Sequence, residues 1–548
     1  MALEGHKYIF VLGGVMSGVG KGVAASSMGL LLQERGYPVN LVKIDPYLNV
    51  DAGTMNPTEH GEVFVLKSGL ETDQDMGNYE RFLNRDLGPE DYMTSGMVYQ
   101  TVINRERALE YGGRCIEAIP HVRDEILTRI ENAASHNGSK VSVIEIGGTV
   151  GDFQNALFIE AARVLRLKHP ADVVFVMVTY LPVPGTLGEM KTKPTQTAVR
   201  ELNSYGVQPD FIIARSKGAM DEKRKEKLAI WCNVLPERII SAPDVSSIYD
   251  VPLNFEKDQL GDLLLDALQL PKDTHNGFSE WEDFITRTKV QGPEVTIGIV
   301  GKYFDTGDFV LSDAYLSVIE ALKFSSAELG VTAKIEWVNA KDFEKGVAID
   351  MLAKYDGILV PGGFGESGIE GKLMAIKYAR ENNIPYFGLC YGMQLLVVEY
   401  ARNVLGLTDA HTVEIQPDTK NPIVAIMDAQ KKHIAEGNYG GTMRLGTYVA
   451  KLTEGSIARD AYKADEVEER HRHRYEINPA YVERLTDAGL VFSGTSPDGV
   501  LMEIAELPKE KNTFHLGTQF HPELIARPLR PHPLFTAFLA AARDRVKG

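Results

Sequence analysis

Cys390 stands in the run Pro385-Tyr-Phe-Gly-Leu-Cys-Tyr-Gly-Met-Gln394, where an apolar strand pattern breaks at a turn and a helix pattern takes over. Gly388 and Gly392 flank it. Small neighbours allow the tight turn that lifts a nucleophile above a sheet and beside a helix N-terminus, where a thiolate is favoured. A thiol used this way needs a base and a group that orients the base. His521-Pro-Glu523 offers both, because side chains two apart in an extended segment share a face. Pro361-Gly-Gly-Phe-Gly365, after the strand-like residues 358–360, supplies backbone N–H groups for an oxyanion. Cys390, His521 and Glu523 are therefore read as an acyl-transfer constellation. Cys115 and Cys232, with no such partners in the sequence, are read as ordinary buried thiols.

A second group lies near the N-terminus. Gly13-Gly-Val-Met-Ser-Gly-Val-Gly-Lys-Gly22 follows a strand pattern and precedes a helix pattern at 24–35. This is the form of a phosphate-binding loop: its glycines bring backbone N–H groups close to phosphate oxygens, the helix N-terminus adds its dipole, and Lys21 neutralises the β- and γ-phosphates. The loop departs from G-x4-G-K-[ST] twice: the leading glycine is one position early, at Gly14, and Gly22 replaces the hydroxyl residue. Glycine has no side chain with which to ligate Mg2+, so carboxylates from elsewhere must hold it. Asp75, in Glu71-Thr-Asp-Gln-Asp, is available, and so is Glu145, in Val143-Ile-Glu-Ile-Gly-Gly-Thr-Val-Gly-Asp152. Lys191-Thr-Lys193-Pro-Thr-Gln196 sets two lysines where they clamp a triphosphate or, equally, form an exposed basic turn. Residues 223–227 and 465–474 are dense in charge and read as solvated faces.

Positioning these groups requires strands that end at the reacting loops. Apolar, β-branched runs at 8–12, 39–44, 141–146, 173–178 and 211–214 alternate with helix-like segments, and the pattern restarts at 295–300, 333–338, 357–360 and 385–389. That alternation predicts an α/β protein with two doubly wound, mainly parallel-sheet domains. Residues 1–270 and 294–548 are expected to form the two domains, with the polar, breaker-rich stretch 271–293 as linker. A length of 548 residues exceeds what one hydrophobic core organises.

The chain is 44% hydrophobic and 24% charged, with a net charge of −17. This is a globular composition that disfavours nucleic acid and anionic membranes as partners. No apolar run reaches the length of a membrane span, and the first residues hold no export-signal pattern. Three cysteines, odd in number and far apart, argue against a disulfide framework and for a reducing, cytoplasmic setting.

Several motifs occur in a telling order: Gly-Gly-Val with Gly-Lys-Gly, Lys43-Ile-Asp-Pro-Tyr-Leu-Asn-Val, His60-Gly-Glu-Val-Phe-Val, Glu145-Ile-Gly-Gly-Thr-Val-Gly-Asp, Lys191-Thr-Lys-Pro-Thr-Gln and Glu469-Arg-His-Arg-His-Arg-Tyr-Glu. Over residues 7–538 the chain thereby resembles the CTP synthase family, and its C-terminal half resembles class I glutamine amidotransferases. The resemblance implies an ATP- and UTP-binding synthetase (amidoligase) domain over 1–270 and a glutaminase domain over 294–548, which together convert UTP to CTP with ATP and the nitrogen of glutamine. It implies that Lys21, Asp75 and Glu145 hold Mg–ATP together with Ser17, Gly18, Val19, Gly20 and Gly22, and that Arg215, Asp244 and Val245 lie near the adenine. Ser17, Lys191, Lys193, Gln196 and Lys227 are implied for UTP, and Asp152, Phe153 and Gln154 for the CTP product. Gly363, Phe364, Gln394, Glu414 and Arg474 are implied to hold glutamine beside Cys390, His521 and Glu523. GTP as an allosteric activator, a homotetramer and a sheltered path for ammonia are implied in the same way.

Two other readings stand beside this one. A different amidoligase joined to a glutaminase, such as a cobyrinate diamide synthase, is disfavoured by the segment 191–196 and the length of the N-terminal half. A partition-type ATPase or filament scaffold with a vestigial glutaminase is disfavoured by the intact cysteine, histidine and glutamate. Two positions depart from the family. Gln154 stands where glutamate is common, which predicts altered feedback by CTP. Ser367, in Gly362-Gly-Phe-Gly-Glu-Ser-Gly-Ile-Glu-Gly371, takes the place of an arginine near GTP. A guanidinium makes bidentate contacts that a hydroxyl lacks, so weaker activation by GTP is expected.

Overall fold

A computed structural model describes residues 5–56, 60–185, 188–272, 277–301, 312–363, 368–426 and 443–547. The chain divides into two compact bodies: residues 1–54 with 75–285, and residues 55–74 with 286–548.

The first body is built on a seven-stranded sheet in the spatial order Tyr92–Thr94, Val39–Asp45, Val141–Ile146, Lys7–Gly13, Val173–Tyr180, Phe211–Ser216, Ile239–Pro243. Every pairing is parallel. A parallel sheet is covered by helices on both faces, so its strands carry continuous apolar runs. Val39–Asp45 and Val141–Ile146 are accordingly buried along their whole length. From Lys7–Gly13 the strand order runs outward in opposite directions, which places the carboxyl end of that strand at the switch point where open α/β sheets bind ligands. The stretch read as a linker carries the helix Ser279–Lys289, whose Trp281 and Phe284 are buried against Tyr249 and whose indole donates to the Tyr249 carbonyl at 3.0 Å. Cys232 is buried as expected, but Cys115 is exposed, in the irregular segment that follows the helix Ser95–Arg107.

The second body holds a nine-stranded sheet. Five strands, Thr332–Asn339, Glu294–Gly301, Gly357–Val360, Tyr386–Leu389 and His515–Thr518, pair in parallel. Four more, Met502–Glu506, Val491–Thr495, Arg444–Leu452 and Glu466–His473, continue it antiparallel. The last of these overturns the reading of 465–474 as a solvated face, because Glu469, Arg470, His471 and His473 are all buried. Each is paired: Glu469 accepts from Tyr462 and lies 3.0 Å from His532, and Arg470 donates to the Val65 carbonyl at 3.0 Å. His471 and His473 bond each other at 2.9 Å.

Residues 55–74, early in the sequence, belong to this second body. Their hairpin Phe64–Val65 with Glu71–Thr72 is anchored by Arg470, by an Arg472–Glu71 ion pair at 2.7 Å and by the Thr447 N–H on the Lys67 carbonyl at 3.1 Å. The Glu62 carboxylate accepts from the backbone N–H of Ser317, in the first turn of the helix Leu316–Leu329. Among the described residues no helix is long and apolar enough to cross a membrane.

Candidate active sites

In the first body the loop after Lys7–Gly13 leads into the helix Lys21–Gln33, which begins from Gly20 in a left-handed conformation, φ 89°. Ser17 and Gly18 are exposed, Val19 is buried, and the buried Lys21 ammonium donates to the Gly148 carbonyl at 2.8 Å. Burial lowers the proton affinity of Lys21, against the pull of Glu145 and Asp75. Arg215 donates to the Val19 carbonyl at 3.3 Å and pairs with Asp244 at 2.9 Å. Together with Gly20, Val245, Ile248 and Phe255 these two residues line a cavity of about 200 Å3, apolar on one side and charged at the mouth. An aromatic base with a polar edge suits such a cavity.

Gly22 explains the missing hydroxyl of the loop. A Cβ there would lie 2.4 Å from Asp75 Oδ1, so the carboxylate fills the space that a serine or threonine side chain takes in other phosphate loops. Asp75 opens the helix Asp75–Leu83, while Glu145 lies near the end of Val141–Ile146. Between them is Lys43, 2.5 Å from Asp75 and 3.0 Å from Glu145, with Asp45 farther off at 3.6 Å. Tyr79 donates to the second oxygen of Glu145. Burial raises the proton affinity of Glu145 and Asp45, and Lys43 opposes it. Lys43 escaped the sequence reading because only strand register sets it opposite Glu145. The available signal was a lysine inside an apolar strand, where a charge has to be paired.

This donor set fits Mg2+. Among the described residues no group of three or more His, Cys, Asp or Glu side chains could form a metal cage. Mg2+ needs none, because it takes one or two carboxylates and completes its shell with phosphate oxygens and water.

A second cavity in this body, about 410 Å3, is lined by Lys191, Lys193, Gln196, Lys223, Arg224 and Lys227 among others. Lys191 and Lys193 thus form a cavity wall, and 223–227 is not merely a solvated face: the helix Glu222–Cys232 turns it toward the same space. Glu189 pairs with Lys191 at 2.8 Å and with Arg224 at 3.3 Å, which offsets only part of the positive charge. Asp152, Phe153 and Gln154 are not among the lining residues. They occupy the loop after Val141–Ile146, where Asp152 accepts from the Thr149 N–H at 2.7 Å and Phe153 is 97% exposed.

In the second body Cys390 joins the strand Tyr386–Leu389 to the helix Tyr391–Asn403 with φ 50° and ψ −98°, a strained geometry for a residue with a side chain. The turn is possible because Gly392 has no side chain: a Cβ there would lie 2.3 Å from the Val360 carbonyl oxygen. The first amides of that helix lack intrahelical partners. His521 follows the neighbouring strand His515–Thr518, and its Nδ1 lies 2.7 Å from Glu523 Oε1, which leaves Nε2 for the thiol. A Cβ on Gly362 would lie 2.8 Å from His521 Cε1 and 3.8 Å from Cys390 Cβ, so cysteine, histidine and the 361–363 loop converge. Burial would depress the His521 imidazole, but Glu523, then Cys390, hold its proton affinity well above the usual range.

Around this centre Gln394 is buried, and its NH2 group donates to the Tyr475 carbonyl at 3.0 Å and to Gln519 at 3.3 Å. Burial raises the Tyr475 hydroxyl, Glu414 adds to this and Arg474 opposes it, so a carboxylate and a guanidinium both act on one ring. Burial and then Glu414 also raise Tyr391. Gly363 lies on the described part of its loop, whereas Phe364 and Ser367 lie outside the described residues. Sequence reasoning missed Gln519 and the buried network of Arg444, Glu476 and Glu503, in which Arg444 lies 3.2 and 2.9 Å from the two carboxylates. Burial raises Glu476 to about 8.

Both halves of the chain have matches among known proteins. A family profile described as CTP synthase N-terminus matches residues 7–270, and one described as glutamine amidotransferase class-I matches 310–541. The CTP synthase of Methanothermobacter thermautotrophicus is 47% identical over 542 residues, covering 99% of each chain. That of Pyrococcus furiosus is 49% identical over 540 residues, covering 98% of each. The solved glutaminase domain of Trypanosoma brucei CTPS with bound acivicin is 39% identical and covers 46% of this chain and 94% of its own, with a TM-score of 0.42. With such identity sustained from end to end, the chain belongs to the CTP synthase family.

Proposed function

We propose that the protein aminates UTP to CTP, using ATP to activate the uracil 4-oxygen and glutamine as the nitrogen source. The observation that carries this reading is the coexistence, in one chain, of a phosphate loop backed by a carboxylate pair and a complete Cys390–His521–Glu523 centre.

In the synthetase half, Arg215, Asp244 and Val245 bind the adenine end of ATP, and Lys191, Lys193, Gln196 and Lys227 hold UTP. Asp75 and Glu145 would hold Mg2+, which supplies charge neutralisation on the ATP phosphates. Lys21 stabilises charge on the transferring phosphoryl group as the 4-oxygen attacks the γ-phosphorus and ADP leaves. Ammonia then adds at C4 and phosphate departs. In the glutaminase half His521 takes the Cys390 proton, the thiolate attacks the side-chain amide of glutamine, and the same imidazole returns the proton to the departing ammonia. Water, deprotonated by His521, hydrolyses the thioester to glutamate. Glu523 fixes the ring in the tautomer this requires, and Glu414 and Arg474 hold the amino and carboxylate groups of glutamine. Product binding at Asp152, Phe153 and Gln154, GTP activation weakened by Ser367, and a homotetramer belong to the same proposal.

The test is to incubate the protein with Mg–ATP, UTP and either glutamine or ammonium, with and without GTP, and to separate the nucleotides. CTP and ADP are expected in equal amounts, and no CTP should form when ATP or UTP is left out. Absence of CTP with both nitrogen sources overturns the reading.

The glycine of the phosphate loop gives a sharper expectation. Gly22→Ser restores the residue common in other loops, yet its Cβ would collide with Asp75. Ammonia-dependent synthesis should fall about tenfold or more and demand more Mg2+, because displacing one carboxylate removes a hydrogen-bonded or ligating charge. Wild-type rates at wild-type Mg2+ would show that Asp75 does not need this space.

A further inference from the structure

We propose that Gln519 is a further catalytic residue of the Cys390 centre: its side-chain amide donates a hydrogen bond to the nucleophilic sulfur and favours its ionised form. The proposal rests on the glutaminase reading of Cys390.

Gln519 is the residue after the strand His515–Thr518, and its backbone is fixed on both sides. The carbonyl of Thr518 accepts the Cys390 N–H at 2.6 Å, and the N–H of Gln519 donates to the Glu503 carbonyl at 2.8 Å. The side chain is fully buried, with Nε2 3.7 Å from Cys390 Sγ. An amide has two ends with opposite effects on a thiolate: NH2 would stabilise it, and the carbonyl oxygen would repel it. Which end faces the sulfur therefore decides the chemistry.

The hydrogen-bond network settles that orientation. The Tyr475 carbonyl is an acceptor only, so Gln394 must turn its NH2 toward it, at 3.0 Å. The same NH2 lies 3.3 Å from the amide of Gln519, of which only the oxygen can accept. Nε2 of Gln519 is then the end left for Cys390. The thiol also lies beside His521 and within 3.9 Å of the Arg472 carbonyl, to which S–H can donate. Ionisation removes that bond and strengthens the one from Gln519, because a donor binds a charged acceptor more tightly than a neutral one. The charged and titratable groups around the centre include His521 and Glu523, Glu414, Arg474, Tyr475 and Tyr391, Arg472 with its partner Glu71, the Arg444–Glu476–Glu503 network, and the pair His471 and His473, which burial keeps neutral. None of these is altered by the variants below.

The experiment measures the pH dependence of Cys390 alkylation by iodoacetamide, read by mass spectrometry, together with glutaminase kcat/KM. Gln519→Met keeps length and volume but has no donor; Gln519→Glu sets a carboxylate in the donor's place. The acid limb of alkylation should move up by about one pH unit in Gln519→Met and farther in Gln519→Glu. Glutaminase kcat/KM should fall about tenfold to a hundredfold. Gln394→Met leaves Gln519 in place but removes the group that orients it, and should move the limb the same way by less. Unfolding midpoints identify the folded variants. An acid limb that coincides with wild type in the folded variants overturns the proposal, even if kcat drops. Wild-type protein whose Cys390 resists alkylation and which lacks glutaminase activity overturns the underlying reading instead.

Discussion

Replacement of Cys390 by alanine is expected to abolish CTP formation from glutamine, by more than about a thousandfold, while formation from ammonium stays within about twofold of wild type. The sulfur is the atom that bonds to the substrate carbon, and the side chains around it cannot take its place. Gln519 is a neutral donor and His521 is held by Glu523. Alanine keeps the Cβ that the turn already accommodates at φ 50°, so the elbow, the strand pairing of Leu389 with Thr518 and the helix that follows should persist. The phosphate loop, the carboxylate pair and the lysine-lined cavity all belong to the other body. Assaying one preparation with both nitrogen sources checks the expectation. A folded variant that has lost the ammonium-dependent rate as well would show that the two chemistries are not divided as proposed.

Lys21→Ala should have the complementary effect, a loss of about a thousandfold or more from either nitrogen source. No other residue from Gly14 to Gly22 carries a positive side chain. Lys43, the nearest alternative, lies among Asp75, Glu145 and Asp45. Arginine should not rescue the loss. The Lys21 stem packs over Gly13, where a Cβ would lie 2.9 Å from its Cδ, and a planar, bidentate guanidinium differs in shape and reach from the compact ammonium this position holds. Initial rates at saturating ATP check this, with an unchanged unfolding midpoint as evidence that the protein is folded. Substantial synthesis by Lys21→Ala would remove Lys21 from phosphoryl transfer.

Much of both sites is legible in the sequence because it is local. The phosphate loop and the cysteine turn each lie in about ten consecutive residues, where glycine positions and the change of period already dictate strand, turn and helix. What the sequence conceals is contact across strands and between distant segments. Lys43 reads as an oddity in an apolar strand until register sets it opposite Glu145. Gln519 reads as one polar residue among several until Gln394 and Tyr475 fix its amide. The charge-dense run 465–474 misleads for the same reason. Composition suggests water, but Arg470 donates to the carbonyl of Val65 and Glu469 bonds Tyr462 and His532; Val65 and His532 lie far away in the chain. The antiparallel half of the second sheet is hidden along with it, because the edge strand Glu466–His473 is mostly charged and carries no apolar run.

The hairpin at 64–72 bears on how such an enzyme can be cut and recombined. The polypeptide passes between the two bodies near residues 54, 74 and 285, so a break within 286–292 would leave both still tied together through the first two crossings. A glutaminase from another enzyme, spliced in at the obvious boundary, would arrive without the arginines that receive Val65 and Glu71. It would leave an early stretch of the synthetase half with its backbone carbonyls and carboxylates unmatched. The exchange is one-sided but enough to block a clean cut: an early fragment of the synthetase half is completed only by the glutaminase half, so the two have to be expressed and engineered as one unit.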